Sequence, residues 1–230
     1  MTQRLAVLTD LALRIEGLRI SHPLRVAVDG RTASGKTTLA DELAVLLRDR
    51  KRHVIRTSID GFHSPRAVRY ARGRQSAEGY YYDARDLPAI NTLLLMPLGP
   101  GGDRHYRTAS FDLDNDVPIT QASQVAPADA VLIVDGTFLQ RPELRDNWDV
   151  TIFVDTTADI SEQRGISRDL PQLGGAEATR QLYANRYRPA FDLYDHLSNP
   201  ALAADAVLDN NDLDQPRLTV RLGGRLASKQ

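Results

Sequence analysis

Residues 26–44, "VAVDGRTASGKTTLADELA", decide the fold that we predict for this chain. An apolar run ends at a glycine, a loop of small residues follows, and a helical pattern begins at Lys36. Residues 30–37 match G-x-x-x-x-G-K-[ST], in which glycines let backbone N–H groups approach phosphate oxygens closely. The positive N-terminal end of the next helix faces the same anion. The segment therefore predicts a phosphate-binding loop between a buried strand and a helix.

This loop is expected to hold a nucleoside triphosphate, ATP or GTP, together with Mg²⁺. Lys36 would reach the terminal phosphates, and the Thr37 hydroxyl would hold the metal ion. A chance match arises in about one random chain in a hundred, and the strand before and helix after the match lower that rate. The predicted nucleotide-binding residues of the loop are Gly30, Arg31, Thr32, Ala33, Ser34, Gly35, Lys36, Thr37 and Thr38.

Short apolar runs on both sides of the loop predict the rest of a parallel sheet. Strands that alternate with helices are typical of a mostly parallel sheet covered on both faces. We expect an α/β, three-layer P-loop fold with a five-stranded central sheet, helices on both faces and a helical lid. The predicted strands are 24–30, 53–60, 129–136, 149–155 and 204–210, and the predicted helices are 36–49, 86–96, 159–168 and 175–194.

We expect one domain over residues 1–230, with three appended features. Apolar residues at helical spacing predict an amphipathic helix within 1–20. Residues 97–127 have little periodicity and predict a loop or hairpin near the acceptor site, with a floppy insertion as the alternative. The lid is expected at 160–180.

Composition excludes several classes of protein. The chain has 29 Lys and Arg against 30 Asp and Glu, which argues against a general nucleic-acid binder. It has no cysteine and no apolar run near the roughly 20 residues that span a bilayer. We expect a soluble cytoplasmic protein. The arginine-rich segment 66–74 resembles an RNA-binding patch in isolation, but the overall charge favours an anion-attracting loop near the acceptor.

Acidic residues end several of the predicted strands. Asp60 and Asp135 are each followed by glycine, and ligands of such sheets bind beyond the carboxyl ends of the strands. A tight turn explains an Asp-Gly pair without any chemistry, and Asp135 could also cap the next turn. The phosphate-binding loop upstream favours a functional Asp60. Guanine-reading N-K-x-D, switch D-x-x-G and "LSGGQ" motifs are absent, so a small-molecule kinase is favoured over a signalling GTPase or a transport ATPase.

Four further segments show a family resemblance. They are "SIDGFHSPRAVRYARGRQSAEGYYYDARDLPAI" (58–90), "YRTASFD" (106–112), "APADAVLIVDGTFLQRPELRDNWDVTIFVDT" (126–156) and "NRYRPAFDLYDHLSNPALAADAVLDN" (185–210). Together they resemble the uridine kinase family, in the group that contains phosphoribulokinase and pantothenate kinase. The likeness covers about residues 24–210 in the same order.

The resemblance implies a role for each matching residue. Asp60 would accept the proton of the acceptor hydroxyl and help place Mg²⁺ with Thr37 and Asp135. Asp83 would accept hydrogen bonds from ribose hydroxyls. Asp86 is the alternative residue for this role, and it is also a plausible N-cap of the following helix. Catalysis would rest on Asp60, Lys36 and Arg168, with Arg164 and Arg168 closing over the phosphates. The implied acceptor-side residues are Asp60, His63, Tyr82, Asp83, Tyr106 and Arg107.

The chain departs from the family in the lid. Leucine, proline, glutamine and glycine occupy 170–175, where uridine kinases have further arginines. The expected function is transfer of a γ-phosphate to the 5′-hydroxyl of a nucleoside, uridine or cytidine first. The alternatives are a kinase of another small hydroxyl compound, such as a sugar, a sugar phosphate or pantothenate, and a non-catalytic regulatory or RNA-associated protein. A homo-oligomer is expected from the resemblance.

Overall fold

The computed structural model describes residues 2–169 and 175–227. Its centre is a six-stranded sheet in the order β10-β9-β8-β1-β7-β2. All five predicted strands are confirmed in it, with ends shifted by at most two residues. The strands of the described residues are β1 (Leu24–Gly30), β2 (Val54–Ser58), β3 (His105–Tyr106), β4 (Phe111–Asp112), β5 (Val117–Pro118), β6 (Gln124–Val125), β7 (Val131–Gly136), β8 (Val150–Asp155), β9 (Ala206–Asp209) and β10 (Arg217–Val220).

The parallel strands read as continuous apolar runs because both of their faces are covered. β1 pairs in parallel with β7 and β8, and every residue of β1 and β7 is buried. The sixth strand, β10, pairs antiparallel with β9 at the edge of the sheet. The sequence did not predict β10, because its residues alternate between exposed and half-buried and form no apolar run.

Helices cover the two faces of the sheet. α1 places Leu8, Leu11 and Ile15 in one core cluster, and α2 adds Leu39 and Leu43. The opposite cluster is built on the 87–98 segment and the turn before β8. The helices are α1 (Gln3–Gly17), α2 (Lys36–Asp49), α3 (Arg66–Arg69), α4 (Leu87–Ile90), α5 (Ala158–Asp169), α6 (Ala176–Leu182), α7 (Arg188–Ser198) and α8 (Pro200–Ala203), and the 3₁₀ turns are Ile59–Phe62 and Arg145–Asn147.

Three π-helical turns interrupt the helical segments: Gly79–Asp83, Asn91–Leu95 and Tyr183–Tyr187. Residues 175–194 were predicted as one helix, whereas the π turn at Tyr183–Tyr187 separates α6 from α7. Such turns are frequent at functional sites, because the extra residue changes which side chains face a cleft. Side chains of the first and third π turns line the cleft described below.

The structure also describes residues 97–127 and most of the predicted lid. Residues 97–127 contain two short antiparallel pairs, β3 with β6 and β4 with β5. The predicted lid, 160–180, includes α5 and the start of α6, and its residues 170–174 lie outside the described residues. Within residues 2–169 and 175–227, no helix has the length and apolar character needed to cross a membrane.

Candidate active site

The predicted phosphate-binding loop connects β1 to α2 with a backbone that requires its glycine at position 35. Gly35 has φ +97°, and Ala33 also has a positive φ of +63°. A Cβ atom on Gly35 would lie 2.5 Å from Nδ2 of Asn210, the same atom that donates to the carbonyl of Ser34 at 2.7 Å. Asn210, directly after β9, therefore packs against the loop and holds its backbone in place.

Lys36 begins α2 and is only 8 % exposed. Its Nζ donates to the carbonyl of Arg31 at 2.5 Å, so the ammonium lies under the loop. Burial lowers the pKa of Lys36 to about 8, although the nearby carboxylates, Asp135 foremost, act to raise it. A bound phosphate group would place a compensating negative charge next to this ammonium.

The side chains of Thr37 and Asp135 meet next to Lys36. Thr37 Oγ1 donates to Asp135 Oδ2 at 2.6 Å. The other oxygen of Asp135 is buried and accepts no hydrogen bond from the described residues, although Nη1 of Arg56 lies 2.7 Å away. Mg²⁺ in kinases uses one or two carboxylates together with substrate phosphates and water. A hydroxyl beside a carboxylate fits that ion.

Asp60 lies in the 3₁₀ turn that follows β2. Its Oδ1 accepts from Nη2 of Arg85 at 2.6 Å, and its backbone N–H donates to Oγ of Ser58 at 3.3 Å. The side chain is 63 % exposed because the cleft in front of it is open. Partial desolvation acts to raise the pKa of Asp60, but the positive charges of Arg85 and Lys36 outweigh it and the pKa lies below its ordinary value. Asp60 is therefore a carboxylate at neutral pH.

His63 and Arg85 complete this group, and sequence reasoning missed Arg85. Burial, and then the charge of Arg85, lower the pKa of His63 to about 3, so its ring is neutral. Nδ1 of His63 lies 2.9 Å from Nη1 of Arg85 and 3.1 Å from the Ala84 carbonyl, and Nε2 lies 3.7 Å from Oδ1 of Asp60. Arg85 lies 25 residues from Asp60 in the chain, and no local pattern indicated that the two would meet.

A cavity of about 260 Å³ joins Asp60 to the phosphate-binding loop. Thr32 of the loop lines this cavity, and so does the end of α5. The lining residues are Thr32, Asp60, His63, Arg69, Tyr70, Arg74, Tyr80, Arg85, Leu113, Arg168, Asp169, Leu182, Arg186 and Tyr187.

The structure brings only some of the predicted acceptor-side residues to this cavity. Asp83 is paired with Nε of Arg72 at 2.8 Å, and the Tyr82 ring lies against the same guanidinium. The Tyr106 hydroxyl donates to Gln124 Oε1 at 3.0 Å within the 97–127 segment. Neither these residues nor Arg107 line the cavity, so their contacts with an acceptor stay predictions.

The two lid arginines have different surroundings. Arg168 lines the cavity and pairs with Asp169, with Nε 2.6 Å from Oδ1. Arg164 donates to the carbonyls of Asn210 and Asn211 at 3.0 and 2.8 Å, and thus ties α5 to the chain after β9. Their predicted closing over phosphates stays a prediction.

Asp29, near the end of β1, is fully buried beneath the loop. It accepts from the Tyr194 hydroxyl, from Gln140 Nε2 at 3.1 Å and from the Gly30 N–H at 2.8 Å. Burial raises the pKa of this carboxyl, although the three hydrogen-bond donors act to lower it. Asp29 thus connects the first residue of the loop to α7, through a contact that spans 165 residues of sequence.

Comparisons with known proteins agree with this geometry. The model of the Phosphoribulokinase / Uridine kinase family matches residues 26–209, from β1 to the end of β9. Uridine-cytidine kinase B of Dictyostelium discoideum is 29 % identical over 177 residues, which cover 75 % of this chain and 70 % of that protein. Uridine kinase-like protein 5 of Arabidopsis thaliana is 30 % identical over 181 residues, covering 76 % of this chain and 37 % of that protein.

A solved structure supports the same fold. A possible uridine kinase from Bacillus stearothermophilus superposes with a TM-score of 0.69 at 25 % identity. The match covers 88 % of this chain and 98 % of that one.

Proposed function

The chain belongs to the Phosphoribulokinase / Uridine kinase family, and from that premise we propose that it transfers the γ-phosphoryl group of ATP or GTP to a hydroxyl group held beside Asp60. The observation that carries the proposal is the single cavity that contains both Asp60 and Thr32 of the phosphate-binding loop. A phosphotransferase needs such a shared space, because donor phosphate and acceptor oxygen must meet with water excluded.

The acceptor oxygen forms a bond to the γ-phosphorus while the bond from that phosphorus to the β,γ-bridging oxygen breaks. The nucleoside diphosphate leaves with the bonding electron pair, and the hydroxyl proton passes to the Asp60 carboxylate. Because Arg85 lowers the pKa of Asp60, this carboxylate is a weak base. Its main contribution is to orient the hydroxyl for in-line attack, as positioning dominates phosphoryl transfer.

The residues of the loop hold the donor. Lys36 neutralises the terminal phosphates, and Thr37 with Asp135 would hold Mg²⁺, which when bound neutralises charge on the phosphates. Arg168, near the end of α5, lines the same cavity and would add positive charge near the transferred group.

Two classes of acceptor have support. The names of the relatives make uridine and cytidine the reference acceptors. Five arginines line the cavity, however, and they favour a second class of acceptor, a small hydroxyl compound that carries an anion.

Release of ADP from Mg-ATP tests the reaction with a panel of acceptors: uridine, cytidine, adenosine, ribose, ribulose 5-phosphate and pantothenate. We expect at least one acceptor to stimulate ADP release. Asp60→Asn should abolish that stimulation while ATP still binds the loop, because Asp60 contacts the acceptor. Asp146→Asn, at an exposed carboxylate far from the cavity, is the matched control. Tight ATP binding with no stimulated release by any acceptor would contradict the proposal and favour a sensing role.

A further inference from the structure

The cavity beside Asp60 is unusually rich in arginine. Five arginines line it against two carboxylates, Asp60 and Asp169, and His63 is neutral. Arg85 pairs with Asp60 and Arg168 pairs with Asp169, so both carboxylates already have a partner. The remaining three arginines are Arg69, Arg74 and Arg186. Arg69 pairs with Asp116 at 2.7 Å, whereas Arg74 and Arg186 have no carboxylate partner among the described residues.

Two of these three are buried, which is rare for arginine. Arg69 is 4 % exposed and Arg186 is 5 % exposed. The guanidinium groups of both lie near the ring of Tyr70, at 5.3 and 5.0 Å from its centroid. Arg186 also lies 4.9 Å from the Tyr80 ring. The aromatic rings therefore fix the two guanidinium groups at one end of the cavity.

Their hydrogen bonds are incomplete. Arg69 Nη1 donates to the Ser64 carbonyl and to Asp116, and Arg186 donates to the Arg74 carbonyl. The Nε atoms of both arginines are buried without a partner among the described residues. A buried donor without a partner costs free energy, more so when it is charged, unless a ligand supplies the acceptor.

We propose that Arg69, Arg74 and Arg186 form an anion subsite that holds a phosphate or carboxylate carried by the acceptor. This inference rests on the proposed function, because it places the acceptor's hydroxyl at Asp60 and its anion at the arginine end of the same cavity. The donor phosphates bind at the loop between β1 and α2, which includes Lys36. The three arginines belong to other parts of the chain, the 66–74 segment and the π turn at Tyr183–Tyr187.

The size of the cavity is compatible with this acceptor class. Its volume of about 260 Å³ accommodates a small polyol phosphate or hydroxy acid. The phosphoryl transfer itself is unchanged: the new O–P bond forms at the hydroxyl, the proton goes to Asp60, and the product carries two anionic groups.

Matched acceptor pairs test the proposal directly. Each pair differs only in its anion: ribulose with ribulose 5-phosphate, glycerol with glycerol 3-phosphate, and glycerol with glycerate. The phosphate and carboxylate pairs also distinguish the two kinds of anion. We expect kcat/KM to be at least tenfold higher for the anionic member of one pair, and higher than for uridine or cytidine. Equal or better use of neutral acceptors would overturn the subsite while leaving the proposed kinase function intact.

Variants assign the effect to these arginines. Arg186→Gln and Arg74→Gln should each raise the KM for the anionic acceptor about 10- to 100-fold, the range expected for a charged hydrogen bond. The KM for ATP should change by less than about twofold, since a larger change would place the arginines on the donor phosphates and overturn the proposal. Arg74 is exposed at the cavity edge, so its variant keeps the fold if the buried Arg186 variant does not. Arg145→Gln, an exposed arginine elsewhere, is the control.

A binding measurement separates the subsite from catalysis. The phosphate-binding loop is first filled with a non-hydrolysable Mg-ATP analogue. Inorganic phosphate should then bind the wild-type protein, raise its Tm and compete with the anionic acceptor. In Arg74→Gln, phosphate should neither raise the Tm nor compete. No phosphate binding in the filled protein would overturn the subsite. Binding without any acceptor turnover would instead support the subsite and count against the proposed function.

Discussion

The buried ammonium of Lys36 predicts that nucleotide binding weakens as pH rises above neutrality. Its pKa of about 8 in the ligand-free protein means that about nine in ten molecules carry the charge at pH 7, but only about one in ten at pH 9. The terminal phosphate has a pKa near 6 and finishes its own titration earlier. If only the ammonium form binds, the Kd for a non-hydrolysable Mg-ATP analogue should rise about tenfold between pH 7 and pH 9.

Proton linkage gives the same prediction a second, independent readout. A bound triphosphate stabilises the ammonium and raises its pKa, so binding at pH 8 should take up about half a proton per molecule. Isothermal titration calorimetry at pH 7, 8 and 9, in two buffers of different ionisation enthalpy, measures both the Kd and the proton uptake.

The Lys36→Met variant is the control for this titration. It should bind the nucleotide weakly at every pH with no slope between pH 7 and pH 9. It should also unfold less readily below pH 8, because the wild-type protein holds a desolvated charge there. The difference between pKa 10.5 and about 8 sets an upper limit near 3 kcal/mol, which disappears as pH rises towards 10.5. A wild-type Kd that stays constant from pH 7 to pH 9, or a variant whose Kd rises equally with pH, would show that the charge of Lys36 does not control nucleotide binding.

Two further predictions concern the residues that support the site. Tyr194→Phe removes a donor from the buried carboxylate of Asp29, so the free energy of unfolding in urea should fall by about 1–3 kcal/mol, and a change below about 0.5 kcal/mol would contradict the contact. Gly136→Ala places a Cβ 2.3 Å from Cγ2 of Ile59, next to Asp60, so both Tm and kcat should fall, with overpacking costing about 1–3 kcal/mol. Gly17→Ala, where no atom lies within 4 Å, should lower neither.

The central fold was predictable because its signals are local. Buried parallel strands appear as apolar runs, and the loop motif fixes the β1-to-α2 connection in eight residues. β10 escaped prediction because an edge strand with one exposed face lacks such a run. The π turn at Tyr183–Tyr187 escaped prediction because it shifts the helical pattern by only one residue, which the sequence does not distinguish from a continuous helix.

The site was predictable where it follows the ends of strands and less so where it depends on distant contacts. Asp60 and Asp135 close strands that the sequence identifies. Arg85 reaches Asp60 only through the tertiary fold. The sequence also presents Arg69 as one of four similar arginines in 66–74, and only the structure shows that its side chain is buried.

Mass spectrometry of the acceptor is the most direct test of phosphoryl transfer to a hydroxyl beside Asp60. Each acceptor is incubated with Mg-ATP and either wild-type protein or Asp60→Asn. We expect an acceptor that gains one phosphoryl group, in step with ADP formed, and no gain with the variant. ADP without a phosphorylated acceptor, or a variant as active as the wild type, would contradict it.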